Sequence, residues 1–104
     1  MQNIIGINDN QDAAVYPYEI TLDGEAIARF ATQAFRDQVA MTLLGLSYNI
    51  DPGTMDCNAY KTVESLTGQT NVRLAHGDNV REMLAEAIDA VMETLTYYEH
   101  ASQE

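Results

Sequence analysis

From Val80 to Tyr98 the chain runs nineteen residues without a glycine or proline, and its apolar residues keep helical time. At 3.6 residues per turn, Val80, Leu84, Ala87, Ile88, Val91, Leu95 and Tyr98 fall on one face. Asp78 is placed as the N-cap, with Gly77 before it. This segment is predicted to be one long amphipathic helix, and whatever else the chain forms must supply an apolar surface to cover its stripe.

The opposite face carries Asp78, Glu82, Glu86, Asp89 and Glu93 at spacings of four, four, three and four, directions that fall within an arc of about 80°. Like charges at i,i+4 cost a helix roughly 0.2–0.5 kcal/mol per pair, and no Lys or Arg in the row offsets them. A helical rise sets these carboxylates ~5.6 Å apart, against about 3.4 Å between phosphates along a DNA strand. The row can therefore imitate a diluted nucleic-acid edge, or it can be a solvated helix face. Tyr97 lies off the apolar centre of the same helix. With the acidic row it is the candidate partner contact, since tyrosine joins apolar area to a polar tip.

Upstream, Ile4, Ile5 and Ile7 read as a short strand ended by the polar stretch from Asn8 to Asp12. Tyr16, Tyr18, Ile20 and Leu22 alternate with polar residues or proline, the period of a half-buried strand. Asp23-Gly24 turns the chain back. A three-residue loop, Asp23 to Glu25, sets Leu22 opposite Ala26, Ile20 opposite Ala28, Tyr18 opposite Phe30 and Glu19 opposite Arg29. The commoner two-residue Asp-Gly loop would send Phe30 to the polar face, so the pattern favours the longer one. Thr32 caps a helix whose stripe is Phe35, Val39, Leu43 and Leu46, widened by Ala40 and Leu44, with Arg36, Asp37 and Gln38 outside it. Gly45 and then Asn49 to Gly53, with Pro52 barring continuation, mark its exit. Ala59, Tyr60, Val63 and Leu66 share a side of a second helix from about Met55 to Leu66, stopped by Gly68. Val72 and Leu74 form a short strand or an extended connection.

The expected fold is a single α+β domain over residues 1–104. A small antiparallel sheet, made of the N-terminal strand and the hairpin, packs against two or three helices, the last the longest. No residue repeat divides it.

Chemistry is sparse. Cys57 is the single cysteine, so no internal disulfide and no Cys/His zinc cluster can form, and it reads as a small packing residue. His76 and His100 stand in no spacing that sets two ligands on one helix face. Asp51 and Asp56 flank Pro52-Gly53 without the ligand pattern of a calcium loop. The glycines are isolated, so no phosphate-cradling loop is present. No catalytic, metal or cofactor site is expected. Sixteen Asp and Glu against five Lys and Arg give a formal net charge of −11, which opposes direct binding to nucleic acid or anionic lipid. The N-terminus has no basic region followed by an apolar run, and no segment reaches the roughly 18 apolar residues of a membrane span. A cytoplasmic protein is expected.

In size, acidity and lack of catalytic motifs the chain resembles the phage and mobile-element inhibitors that block nucleic-acid-handling host machinery, including anti-CRISPR proteins and DNA mimics. The likeness is compositional and covers no motif. It implies a non-catalytic binder that occupies a basic, nucleic-acid-binding surface of a partner such as a host defence complex. Two alternatives stand beside it. One is a self-associating accessory protein using leftover apolar surface such as Met41, Met83 or Met92 in a homodimer. The other is a small enzyme built on Cys57 or a carboxylate pair.

Overall fold

The computed structural model describes residues 3–10, 12 and 15–102, with side chains through residue 95. The chain divides into two compact units, Met1–Leu44 and Gly45–Glu104. The first runs β1 (Ile5–Asp9), β2 (Tyr18–Leu22), β3 (Glu25–Phe30) and α1 (Gln33–Leu44); the second runs β4 (Ser47–Ile50), β5 (Cys57–Ser65), β6 (Gly68–Gly77) and α2 (Val80–Ser102). Each is a three-stranded antiparallel meander followed by one helix packed on its sheet. The α+β class is as expected; the arrangement is two sheets and two helices rather than one sheet under two or three. No helix among the described residues is long and apolar enough to cross a membrane.

In the first unit the hairpin reconciles two competing signals. Asp23 and Gly24 both have positive φ, 52° and 87°, the backbone a two-residue hairpin loop demands and glycine adopts freely. Leu22 therefore faces Glu25 and Thr21 faces Ala26, not the pairing a three-residue loop would give. The register then shifts past Ile27, and beyond this bulge Ile20 faces Ala28, Glu19 faces Arg29 and Tyr18 faces Phe30, as the alternation requires. The one extra residue returns Phe30 to the core face, where it is 3% exposed and meets the Phe35 ring edge-on at 5.8 Å.

Helix α1 starts as expected, with the Phe35 N–H donating to Thr32 Oγ1 at 3.3 Å. Val39, Ala40 and Leu43 are buried with Ile20, but Leu44 is exposed and Leu46 lies beyond the helix end. Arg36, expected outside the stripe, is instead the largest fully buried side chain; at about 100° per residue it falls between Leu43 and Ala40, inside the apolar arc.

In the second unit, residues 57–65 form a strand where a helix from Met55 to Leu66 is expected. Met55 has φ of 63°, outside helical space, and the chain from Cys57 pairs with β4 on one side and β6 on the other. Cys57 and Ala59 are buried while Asn58 and Tyr60 are partly exposed, a period of two that a single small-residue pair signals weakly. Gly68 does not stop a helix; it opens β6, which contains Val72 and Leu74 and extends to Gly77. Gly77 is required by packing: a Cβ there would collide with the backbone of Glu82 and Met83 at the start of α2.

Helix α2 is continuous as expected. Its cap is Asn79, one residue later than the sequence suggests: Asn79 Oδ1 accepts the Glu82 N–H at 2.9 Å, and the Glu82 carboxylate accepts the Asp78 N–H at 3.2 Å. Met83, Leu84, Ala87, Ile88 and Val91 are buried, whereas Val80 and Leu95 are half-buried. Met83, proposed as leftover surface, is core; Met41 is 72% exposed.

Candidate functional site

The acidic row keeps one side of α2. Glu82, Glu86, Asp89 and Glu93 are all exposed, on the side away from Met83, Leu84, Ala87, Ile88 and Val91. Asp78 is exposed too, but it sits in the turn before the helix, so the wheel does not fix its direction. Glu82 serves two roles, closing the helix entry and contributing negative charge near the positive end of the helix dipole. Glu86, Asp89 and Glu93 make up the part of the row within the body of the helix. Tyr97 is in α2 by its backbone; its side chain lies outside the described residues.

Strand pairing also gathers three groups that the sequence keeps apart. Asn58 faces His76 and Cys57 faces Gly77, so Asp56 and Asp78 flank the end of the same ladder. Ligand atoms of Asp56, His76 and Asp78 lie within 4.8 Å of one another. Asp56 Oδ1 is 3.6 Å from His76 Nε2, an ion pair when the imidazole is protonated, while Asp56 Oδ2 accepts from the Thr54 hydroxyl at 3.1 Å. One nitrogen and two carboxylates form a donor set that divalent transition metals accept. The side chains of His76 and Asp56 remain 41% and 48% exposed.

The buried electrostatics of the first unit centre on Arg36. Its Nη1 donates to Asp9 Oδ1 at 2.7 Å and to the Asn8 carbonyl at 3.3 Å, its Nε donates to Asp37 Oδ1 at 2.6 Å, and its guanidinium lies 5.4 Å from the Tyr18 ring centre. Burial works against the charge, but the two carboxylates outweigh it and raise the Arg36 pKa further. The group ties β1 to α1 and stays cationic.

Glu19 on β2 is also buried, accepting from the Asn8 amide at 2.8 Å and from Arg29 Nε at 3.0 Å. The Asn8 hydrogen bond above all, with Arg29 and Asn10 adding to it, holds Glu19 below the ordinary glutamate range although burial pushes the other way. A carboxylate lowered in the fold contributes stability above its unfolded pKa and loses it as pH falls through the folded one. Thermal unfolding scanned from neutral to acid should therefore show stability dropping below about pH 4.3, and Glu19→Gln should flatten that drop. An unchanged acid limb in the variant would mean that Glu19 ionisation contributes nothing.

Cys57 is 1% exposed, and burial first, then Asp56, pushes its thiol pKa up. Both changes disfavour the thiolate a nucleophile requires.

Two further surfaces are open. The outer half of the β5–β6 hairpin, residues 61–73, is exposed at every position, because β4 pairs only with Cys57 to Tyr60. The other surface is a cavity of about 350 Å³ between β1 and α1, lined by Ile5, Gly6, Ile7, Asp37, Ala40, Met41 and Leu44.

Comparisons with protein-family models, curated proteins and solved structures find no match to this chain.

Proposed function

We propose that the protein is a non-catalytic binder that sets the acidic side of α2 against a basic surface of a protein partner and obstructs it. The observation that carries this is the uninterrupted exposure of Glu82, Glu86, Asp89 and Glu93 over a buried stripe. Glu82 also caps the helix, but Glu86, Asp89 and Glu93 place like charges at i,i+3 and i,i+4 that cost the helix a little stability. A net charge of −11 extends the same sign over the molecule and favours encounter with a basic partner. The buried, high-pKa Cys57 supports a mechanism without covalent chemistry.

The partner surface in this reading is one that ordinarily holds phosphates, and the class of action is competition with nucleic acid, as for a phage or mobile-element inhibitor of a cytoplasmic host defence complex. No cofactor enters this action, and the protein itself does not contact nucleic acid. The test first captures the partner from a host lysate on the immobilised protein and identifies it by mass spectrometry; with that partner loaded with a labelled oligonucleotide, the wild-type protein should displace the oligonucleotide and the Glu86→Lys/Asp89→Lys variant should not. Simultaneous binding of protein and oligonucleotide would contradict the proposal.

Self-association is the second reading, favoured by Met41 and Leu44, which stand 72% and 65% exposed side by side at the cavity rim. Sedimentation equilibrium at two salt concentrations separates it from partner binding.

A further inference from the structure

Among the described residues, strand β1 is an edge of its sheet, bonded to β2 alone. The phase of that ladder follows from two flanking bonds, Asp23 N–H to the Ile4 carbonyl and Asn10 N–H to the Pro17 carbonyl. In an antiparallel pair the bonded positions alternate, so residues 4, 6, 8 and 10 face β2, and the N–H and C=O groups of Ile5, Ile7 and Asp9 point away from it. The side chains of this odd set lie on the helix side of the sheet: Asp9 meets Arg36, and Ile5 and Ile7 line the cavity with Ala40, Met41 and Leu44 of α1. A row of free backbone groups thus runs beside an apolar trough, with Ile7 56% exposed at its centre. That combination fits an extended chain, whose backbone continues the ladder while alternate side chains enter the trough.

Charge selects the occupant. Residues 1–44 carry six carboxylate side chains against Arg29 and Arg36, and both arginines are ion-paired within the unit. At the end of the trough Asp9 and Asp37 share the single cation Arg36, and both carboxylates remain about half exposed. A second copy, also at −11, would bring like charge to this edge. We propose that the trough between β1 and α1 binds an extended, basic segment of a partner protein by strand addition, with alternating apolar side chains in the trough and a Lys or Arg against Asp9 and Asp37. This site is built from residues of the first unit, and the proposal does not rest on the reading of α2.

The test is an array of heptapeptides with Lys or Arg at the ends and Val, Ile, Leu, Phe or Thr at alternating positions. Binding of the tightest peptide is then measured by fluorescence anisotropy. Ile7→Pro removes one outward N–H without touching a ladder bond, a substitution edge strands tolerate, and should weaken binding by roughly tenfold or more. Met41→Glu and Leu44→Glu, at exposed positions that do not threaten the fold, should do the same and carry the test if Ile7→Pro misfolds. Replacing the peptide's basic residues with Glu should abolish binding, and Glu86→Lys/Asp89→Lys on α2 should leave it unchanged. An array without a binder, equal affinity for the trough variants, or a dimer that Ile7→Pro dissolves into monomers would overturn the assignment.

Discussion

Arg36→Ala is expected to lower the unfolding free energy by about 2–5 kcal/mol, and Arg36→Met by about 1–2 kcal/mol. The difference identifies what the residue supplies. Arg36 is 1% exposed, whereas the side chains of Asp9 and Asp37 are 51% and 44% exposed, so deleting the cation leaves two carboxylates that water can reach. Most of the cost is then the space vacated between β1 and α1 and the lost contact with Tyr18, not stranded charge. Methionine refills much of that volume without a charge to bury. Urea midpoints for both variants decide the matter: an Arg36→Met protein as unstable as Arg36→Ala would show that the ion pairs, rather than the packed stem, hold the strand to the helix.

Leu84→Ala should cost a comparable amount, about 2–5 kcal/mol, because Leu84 is 2% exposed in the interface of α2 with β5 and β6. Leu95 shares its stripe but is half-buried, so Leu95→Ala should cost about 1 kcal/mol. The wheel treats the two residues as equals; the sheet beneath them does not. Equal midpoint shifts in urea for the two variants would place the core differently along α2.

That contrast shows where sequence was informative and where it stopped. Helix α2 and its acidic row were legible because a 3.6-residue period sustained over many residues without a breaker has no competing interpretation. Its cap was misplaced by one because Asp78 and Asn79 are both good capping residues and only the Asn79 contact to the Glu82 N–H separates them. Strand β5 was misread for a different reason. Ala59, Tyr60, Val63 and Leu66 match a helical spacing, its inward residues Cys57 and Ala59 are small, and its outer half has no buried face to reveal a period of two. Its identity depends on β4 and β6, which local pattern does not contain.

The inward direction of Arg36 is contained in the helical spacing, which sets it between Leu43 and Ala40, but the partner that permits its burial, Asp9, is 27 positions away. The Asp56, His76 and Asp78 cluster and the β1 trough likewise exist only once strand register is set. The hairpin is legible only in part: the pairings of Tyr18, Glu19 and Ile20 hold, but the loop has two residues, not three, because the bulge at Ile27, which alternation alone does not contain, restores the register that a two-residue loop would otherwise lose.

The central claim is that the acidic side of α2 steers the protein onto a basic partner, and association kinetics test it most directly. Charged groups at an interface set the rate of encounter more than the final affinity. The wild-type association rate should fall as salt rises, and Glu86→Lys/Asp89→Lys should lower it by roughly tenfold at low salt, an effect that shrinks at moderate salt as screening shortens the reach of the charges. Both side chains are exposed, so circular dichroism should show both proteins folded. Association rates for the captured partner that are equal for the two proteins at both salt concentrations would contradict the claim.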